Sequence, residues 1–276
     1  MQFFPQTLAS WTAFLGAVAT LVGLIQSRGW LAALGGLVIC LSIAAVAYAR
    51  QQRLRVDGAL IEIEGISIDS LNAANLRRRV SNRFMIQTVH HIVTIHGADL
   101  EVNWRYAGYC RVDQATAFEF SVDSEGGIPF SALDCFGYDL KADPRHQHKI
   151  QPVLIGPDSI SKKIAVPFSQ ALRTADPFDI MLKCRMPGTF KPGVAYYIST
   201  LSFDQPSVGR CAVELLFRGE QPEWVRVYQC DPGVSPHLLR NLSPAHLPDG
   251  SVAYIDAADN RNARSARVYL FPRATT

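Results

Sequence analysis

Residues 1–27 contain no Asp, Glu, Lys or Arg, and after the single Arg28 the stretch 29–49 contains none either. Each run is long enough to supply the roughly 20 apolar residues that a helix needs to cross a bilayer. The turn between them is too short to cross anything, so the pattern predicts a transmembrane α-helical hairpin over about residues 8–27 and 30–49. A signal peptide would want a basic start, and Met1–Thr7 has none. Arg50, Arg53 and Arg55 follow the second run against Arg28 alone in the turn. The positive-inside bias then predicts both termini on the cytoplasmic side of a bacterial inner membrane.

Small residues punctuate the two runs: Gly16, Ala19 and Gly23 in the first, Ala32 and Gly36 in the second. Ala19/Gly23 and Ala32/Gly36 are small-xxx-small pairs that let helix backbones approach closely in lipid. They are the expected packing residues of a homo-oligomer in the bilayer. Neither run carries an ionisable side chain, so a pore would need several hairpins around an axis.

The domains expected are therefore 1–55, the hairpin with its basic end, and 56–276, a β-rich soluble sensor. Alternation of period two runs through the second part. Ile61 and Ile63 alternate with Glu62 and Glu64, and Ile66 and Ile68 continue that segment. Leu100, Val102, Trp104 and Tyr106 alternate with Glu101, Asn103 and Arg105, and Phe178, Ile180, Leu182 and Cys184 alternate with Asp179, Lys183 and Arg185. Turn signals such as Pro187-Gly188 and Asp249-Gly250 separate the runs. The fold class expected is a membrane α-helical hairpin plus an all-β cytoplasmic domain, an antiparallel sandwich or barrel. Two short helices are expected, over Leu71–Val80 behind an Asp69-Ser70 cap and over Pro236–Leu242. The polar arc Asp256–Arg267 reads as a mobile loop.

Six cysteines are present with no Cys-x-x-Cys pair, and a cytoplasmic domain would keep them as free, mostly buried thiols. There is no Walker loop, no Gly-x-Gly-x-x-Gly, no Gly-x-Ser-x-Gly and no His-Glu-x-x-His. His146 and His148 with Asp143 fall in a polar stretch without a full ligand set, so no metal and no cofactor are expected. Without a catalytic signature the chain is not expected to be an enzyme.

The formal charge of +3 comes wholly from residues 50–111, where nine arginines face six acids. Arg77, Arg78, Arg79 and Arg83, with Arg105, form a candidate basic face. Arginine's planar fork suits a phosphate-bearing nucleotide or oligonucleotide. Lipid headgroups account for Arg50, Arg53 and Arg55.

The plan, apolar residues Leu8–Ala49 followed by a strand-rich remainder, resembles the two-transmembrane, β-strand-rich effectors of bacterial anti-phage defence that accompany nucleotidyltransferases of the CBASS and Hailong type. That resemblance implies an oligomeric membrane pore or ion channel controlled by a nucleotide that a neighbouring nucleotidyltransferase makes. No residue-level motif is shared, so no site residue is carried over. The competing classes are a membrane-anchored β-sandwich interaction or envelope-sensing scaffold, and a membrane-tethered hydrolase.

Overall fold

The computed structural model describes residues 60–72, 83–123, 128–141, 149–159, 161–190 and 193–273, with a few helical positions between Leu37 and Ile43. The chain divides into two compact units, 1–59 and 60–276. Fourteen strands and one short 3₁₀ turn at Phe130–Ala132 make up the described part of the second unit. Among the described residues no helix is long and apolar enough to cross a membrane. The hairpin expected over 8–27 and 30–49 falls almost wholly outside those residues, as do Gly16, Ala19, Gly23, Ala32 and Gly36. The fold class is corrected accordingly to a β-rich fold, because length and missing charge describe a composition and do not by themselves make a spanning helix.

β1 (Leu60–Ile63) and β2 (Ile66–Asn72) form a hairpin of their own. The expected continuous segment Ile61–Ile68 is broken by Glu64-Gly65, whose φ angles of +52° and +78° build a two-residue turn. A left-handed pair of this kind matches the twist of the flanking strands, and glycine takes its second place without strain. Ile63 and Ile68 bury against Cys230, Ala266, Val268 and Leu270 on one face of the main sheet.

That sheet has nine strands. They are β3 (Phe84–His96), β4 (Asp99–Cys110), β6 (Asp134–Asp139), β9 (Pro177–Met186), β10 (Gly193–Arg218), β11 (Val225–Cys230), β12 (His237–Leu242), β13 (Pro244–His246) and β14 (Val252–Arg273). The order is β12-β11-β14-β10-β3-β4-β9-β6, with β13 paired to β14. A second sheet of β5 (Ala115–Asp123), β8 (Ser161–Leu172) and β7 (Val153–Ile155) has the order β5-β8-β7. The pairing is antiparallel except between β10 and β3, where Arg210–Arg218 run parallel to Thr88–His96.

β10 and β14 pair along nearly their whole lengths but change register between Ser202 and Ser207. There Ser202 faces Arg264 and Ser207 faces Asn262, so Phe203–Pro206 bulge opposite Ala263 alone. Pro206 has no N–H for the ladder. Gln205 bridges the gap with its side chain, accepting from Ile86 N at 2.8 Å and donating to Ile86 O at 2.6 Å and Ser207 O at 2.7 Å. β3 has its own register shift at Ile86/Thr88. β4 passes it only because position 108 is glycine: a Cβ there would lie 1.9 Å from Met85 O.

The main core fills the space between the two sheets. Phe84, Phe118, Phe168 and Phe178 pack with ring centroids 5.1–6.0 Å apart, and Tyr106 stacks on Phe118 at 5.3 Å. Such tilted and edge-on pairs add to the burial of large apolar rings. Two expectations fail here and a third is placed only in its first two residues. His237–Leu242 is a strand, not a helix. Leu71 and Asn72 end β2, and the rest of the expected Leu71–Val80 helix lies outside the described residues. The arc Asp256–Arg267 is the middle of β14. Its inward positions are polar, so alternation of hydrophobicity vanishes while alternation of burial persists. Val252, Tyr254 and Asp256 are buried, and after Asn260 (φ +53°) the phase shifts by one to Arg261, Ala263, Ser265, Arg267 and Tyr269.

The cysteines need a further correction. Cys135 on β6 and Cys184 on β9 face each other in register and form a disulfide, with Cα atoms 4.2 Å apart. Cys110, Cys211 and Cys230 are free and buried.

Candidate functional site

Two features carry the unusual chemistry of the described chain: a polar network inside the bent β10–β14 ribbon, and the outermost strand that this network holds.

His91 is buried, with its Nδ1 2.9 Å from the Tyr197 hydroxyl and its Nε2 3.3 Å from that of Tyr106. Trp104 Nε1 donates to the Tyr197 oxygen at 3.1 Å. An indole N–H can only donate, so the Tyr197 proton points to His91 Nδ1, and the imidazole carries its own proton on Nε2 toward Tyr106. Burial, with the neighbouring Arg261 and His90 charges, pushes the His91 pKa down to about 3. Burial raises Tyr106 and Tyr197 well above the ordinary phenol range. Cys211 is likewise raised to about 11 by burial. The group is therefore neutral throughout the physiological range and offers neither a general base nor a thiolate.

Arg261 lies beside it, buried, donating to Ser199 O at 2.7 Å, Ser199 Oγ at 3.3 Å and Ser265 Oγ at 3.2 Å. Asp256 is the carboxylate of the network. It accepts from Arg267 at 2.7 Å, from the Tyr269 hydroxyl at 2.6 Å, and from Arg240 of β12. Burial would raise this carboxyl, but the Tyr269 hydroxyl and the Arg267 and Arg240 guanidiniums outweigh it and hold it below the usual range. Every partner is thus placed to keep one buried charge paired.

Arg240 is what connects this interior to the surface. β12 pairs with β11 on one side and, among the described residues, with no strand on the other. From His237 to Asn241 every residue is exposed, including Leu238 at 49% and Leu239 at 40%. The register shift at Val227/Tyr228 leaves Leu239 as the extra residue of a bulge. Val234 and Leu247 are exposed nearby in sequence. The opposite edge is different: β6 is bridged by Ile150, which exchanges both hydrogen bonds with Gly137 at 2.8 and 2.9 Å.

The expected basic face is placed only in part. Arg77, Arg78 and Arg79 lie outside the described residues. Arg83 is half-buried at the rim of a cleft lined by Phe84, Ile86, Phe118, Glu119 and Phe203. The cleft holds about 10 Å³, room for a water and not for a nucleobase. Arg105 is on the other face, bidentate to Asp179 at 2.8 and 2.6 Å. It is the first of three diagonal ion pairs across β4 and β9, followed by Lys183–Glu101 and Arg185–Asp99. His146, His148 and Asp143 also lie outside the described residues, and among those described no three metal-binding side chains gather.

No family model matches the chain, and no curated protein does. Solved structures that do match include an M1 zinc metallopeptidase from Deinococcus radiodurans, at 11% identity and a TM-score of 0.42, over 70% of this chain and 43% of that one. A candidate protease from Parabacteroides distasonis matches at 10% identity and a TM-score of 0.43, over 70% and 41%. The chain thus spans less than half the length of either. At these TM-scores the likeness carries neither fold nor activity across, and the His-Glu-x-x-His of a zinc peptidase is absent from the sequence.

These findings correct the earlier functional expectations. The resemblance to anti-phage effectors rested on a two-helix membrane plan that no described helix supplies, so it is withdrawn. The expectation that the chain is not an enzyme is withdrawn as well, since it rested only on the absence of short motifs from the sequence. The pore and the inner-membrane placement rested on a helical hairpin, and no described helix can cross a bilayer.

Proposed function

We propose that residues 60–273 form a protein-interaction domain, and that its β12 edge pairs antiparallel with the β12 edge of a second copy. The observation that carries this reading is the contrast between the two ends of the nine-stranded sheet. β6 is bridged at its outer edge by Ile150, whereas among the described residues β12 has no strand on its outer side and carries two half-exposed leucines. An open edge of this kind is a template for another strand. Arg240 is the one charged side chain of β12, and in its own protomer it is held against Asp256, which also pairs with Arg267. An antiparallel pair of identical edges is compatible with a two-fold axis between two copies. The contact is a single short strand from each side, which places it with the small, reversible interfaces.

The test is the oligomeric state of the full chain, wild type against Leu238→Lys and Leu239→Lys. Expected is a dimer that dissociates on dilution in the wild type and monomers in both variants, with unchanged strand content by circular dichroism. A wild type that stays monomeric at every concentration, or variants that dimerise equally well, would overturn the reading.

A further inference from the structure

The Cys135–Cys184 pair says where this domain completes its fold. We propose that the two thiols are oxidised during folding by a protein or small-molecule disulfide, in an oxidising compartment, before β6 docks. The placement of the pair carries the argument. Cys135 and Cys184 sit directly opposite each other on adjacent antiparallel strands, and both are buried in the main core. Their Cα separation of 4.2 Å brings the sulfurs together without backbone movement. The described free cysteines, Cys110, Cys211 and Cys230, lie buried on other strands, and burial raises the thiols of Cys211 and Cys230 to about 11 and 12. In the folded domain burial withholds these three from exchange, and none of them lies opposite another cysteine in the strand register.

Burial also fixes the order of events. In the finished fold the outer edge of β6 is bonded to Ile150, and Asp139 at its end accepts from Ser169 N at 2.9 Å and Lys141 N at 3.1 Å. No oxidant reaches the pair then. While β6 is undocked, the Cys135 thiolate attacks a sulfur of the oxidant's disulfide and displaces its first thiolate. The Cys184 thiolate then attacks the Cys135 sulfur of the mixed disulfide and displaces the second. The two cysteines lose two protons and two electrons, and the oxidant's disulfide becomes two thiols. Once β6 closes, the bond is sealed from reductant as it was from oxidant. A bond installed this way belongs to a compartment without a reducing thiol pool.

The full chain is recovered from its native cell with an acid quench, then alkylated under denaturing conditions and mapped by mass spectrometry. Four of the six cysteines should carry the label, and the unlabelled pair should be one cross-linked peptide joining Cys135 to Cys184. The bond should survive reductant in native buffer and break in the same reductant with denaturant. Six labelled cysteines, or a cross-link involving any other cysteine, would overturn the proposal. Rapid reduction in native buffer would overturn the sealing of β6 by itself. A Cys135→Ser variant keeps the test open if folding is impaired: Cys184 must then take the label.

Discussion

Lowering the pH from 7.5 to 5 should destabilise this domain through one residue, His91. In the folded state its ring is neutral, held between Tyr197 and Tyr106, with its pKa pushed to about 3 by burial and the nearby Arg261 charge. In the unfolded chain it returns to 6.5. Above 6.5 both states leave the ring neutral and stability does not respond. As the pH falls below 6.5 the unfolded chain takes up a proton that the folded one refuses, so stability falls, and it goes on falling until about pH 3. Each pH unit well inside that window is worth about 1.4 kcal/mol. Between pH 7.5 and 5 the loss is about 2 kcal/mol, or about 4–8 °C in Tm for a domain of this size. Urea melts at both pH values measure it. A His91→Gln variant still donates and accepts but does not titrate, so it should lose this slope while melting lower at pH 7.5. A variant that keeps the wild-type slope, or a wild type whose stability is flat between pH 7 and 5, would refute the reasoning.

Asp256→Asn removes the charge that pairs Arg267 and Arg240, and should cost about 3–5 kcal/mol in a chemical melt, because Arg267 stays buried without a counter-charge. The same change should raise amide exchange in β12 more than in β9. Gly108→Ala drives a methyl into the Met85 carbonyl and should cost about 3 kcal/mol, readable as a lowered urea midpoint at unchanged slope. Breaking Cys135–Cys184 reopens a loop with a sequence separation of 49 and should cost about 4 kcal/mol by loop entropy, read as the difference between melts with and without the bond.

The strands were legible wherever one face is apolar. The alternation Leu100–Tyr106 and Phe178–Cys184 lies in β4 and β9, in register with each other. Legibility failed where inward positions are polar. In β14 the buried face passes through Asp256, Arg261, Ser265 and Arg267, which read as a solvated arc because no local pattern shows that Asp256 pairs with Arg267 of the same strand or that Arg261 donates to Ser199 of β10. β12 failed for the opposite reason: Leu238, Leu239 and Leu242 carry a helical spacing, but the strand is set by pairing with β11, which no local pattern shows. Arg105 read as a basic ligand contact because Asp179 is 74 positions away in the chain. The disulfide was hidden by a separation of 49 positions, and by an expected reducing compartment.

The most direct test of the β12 edge is a cross-link across its proposed two-fold axis. With Asn241→Cys in the full chain, mild oxidation should join two copies through residue 241, and adding Leu239→Lys should abolish the product. The label must fall on residue 241 and not on the buried Cys110, Cys211 or Cys230. A strong cross-link that survives Leu239→Lys, or none at concentrations where the wild type is dimeric, would contradict pairing through β12.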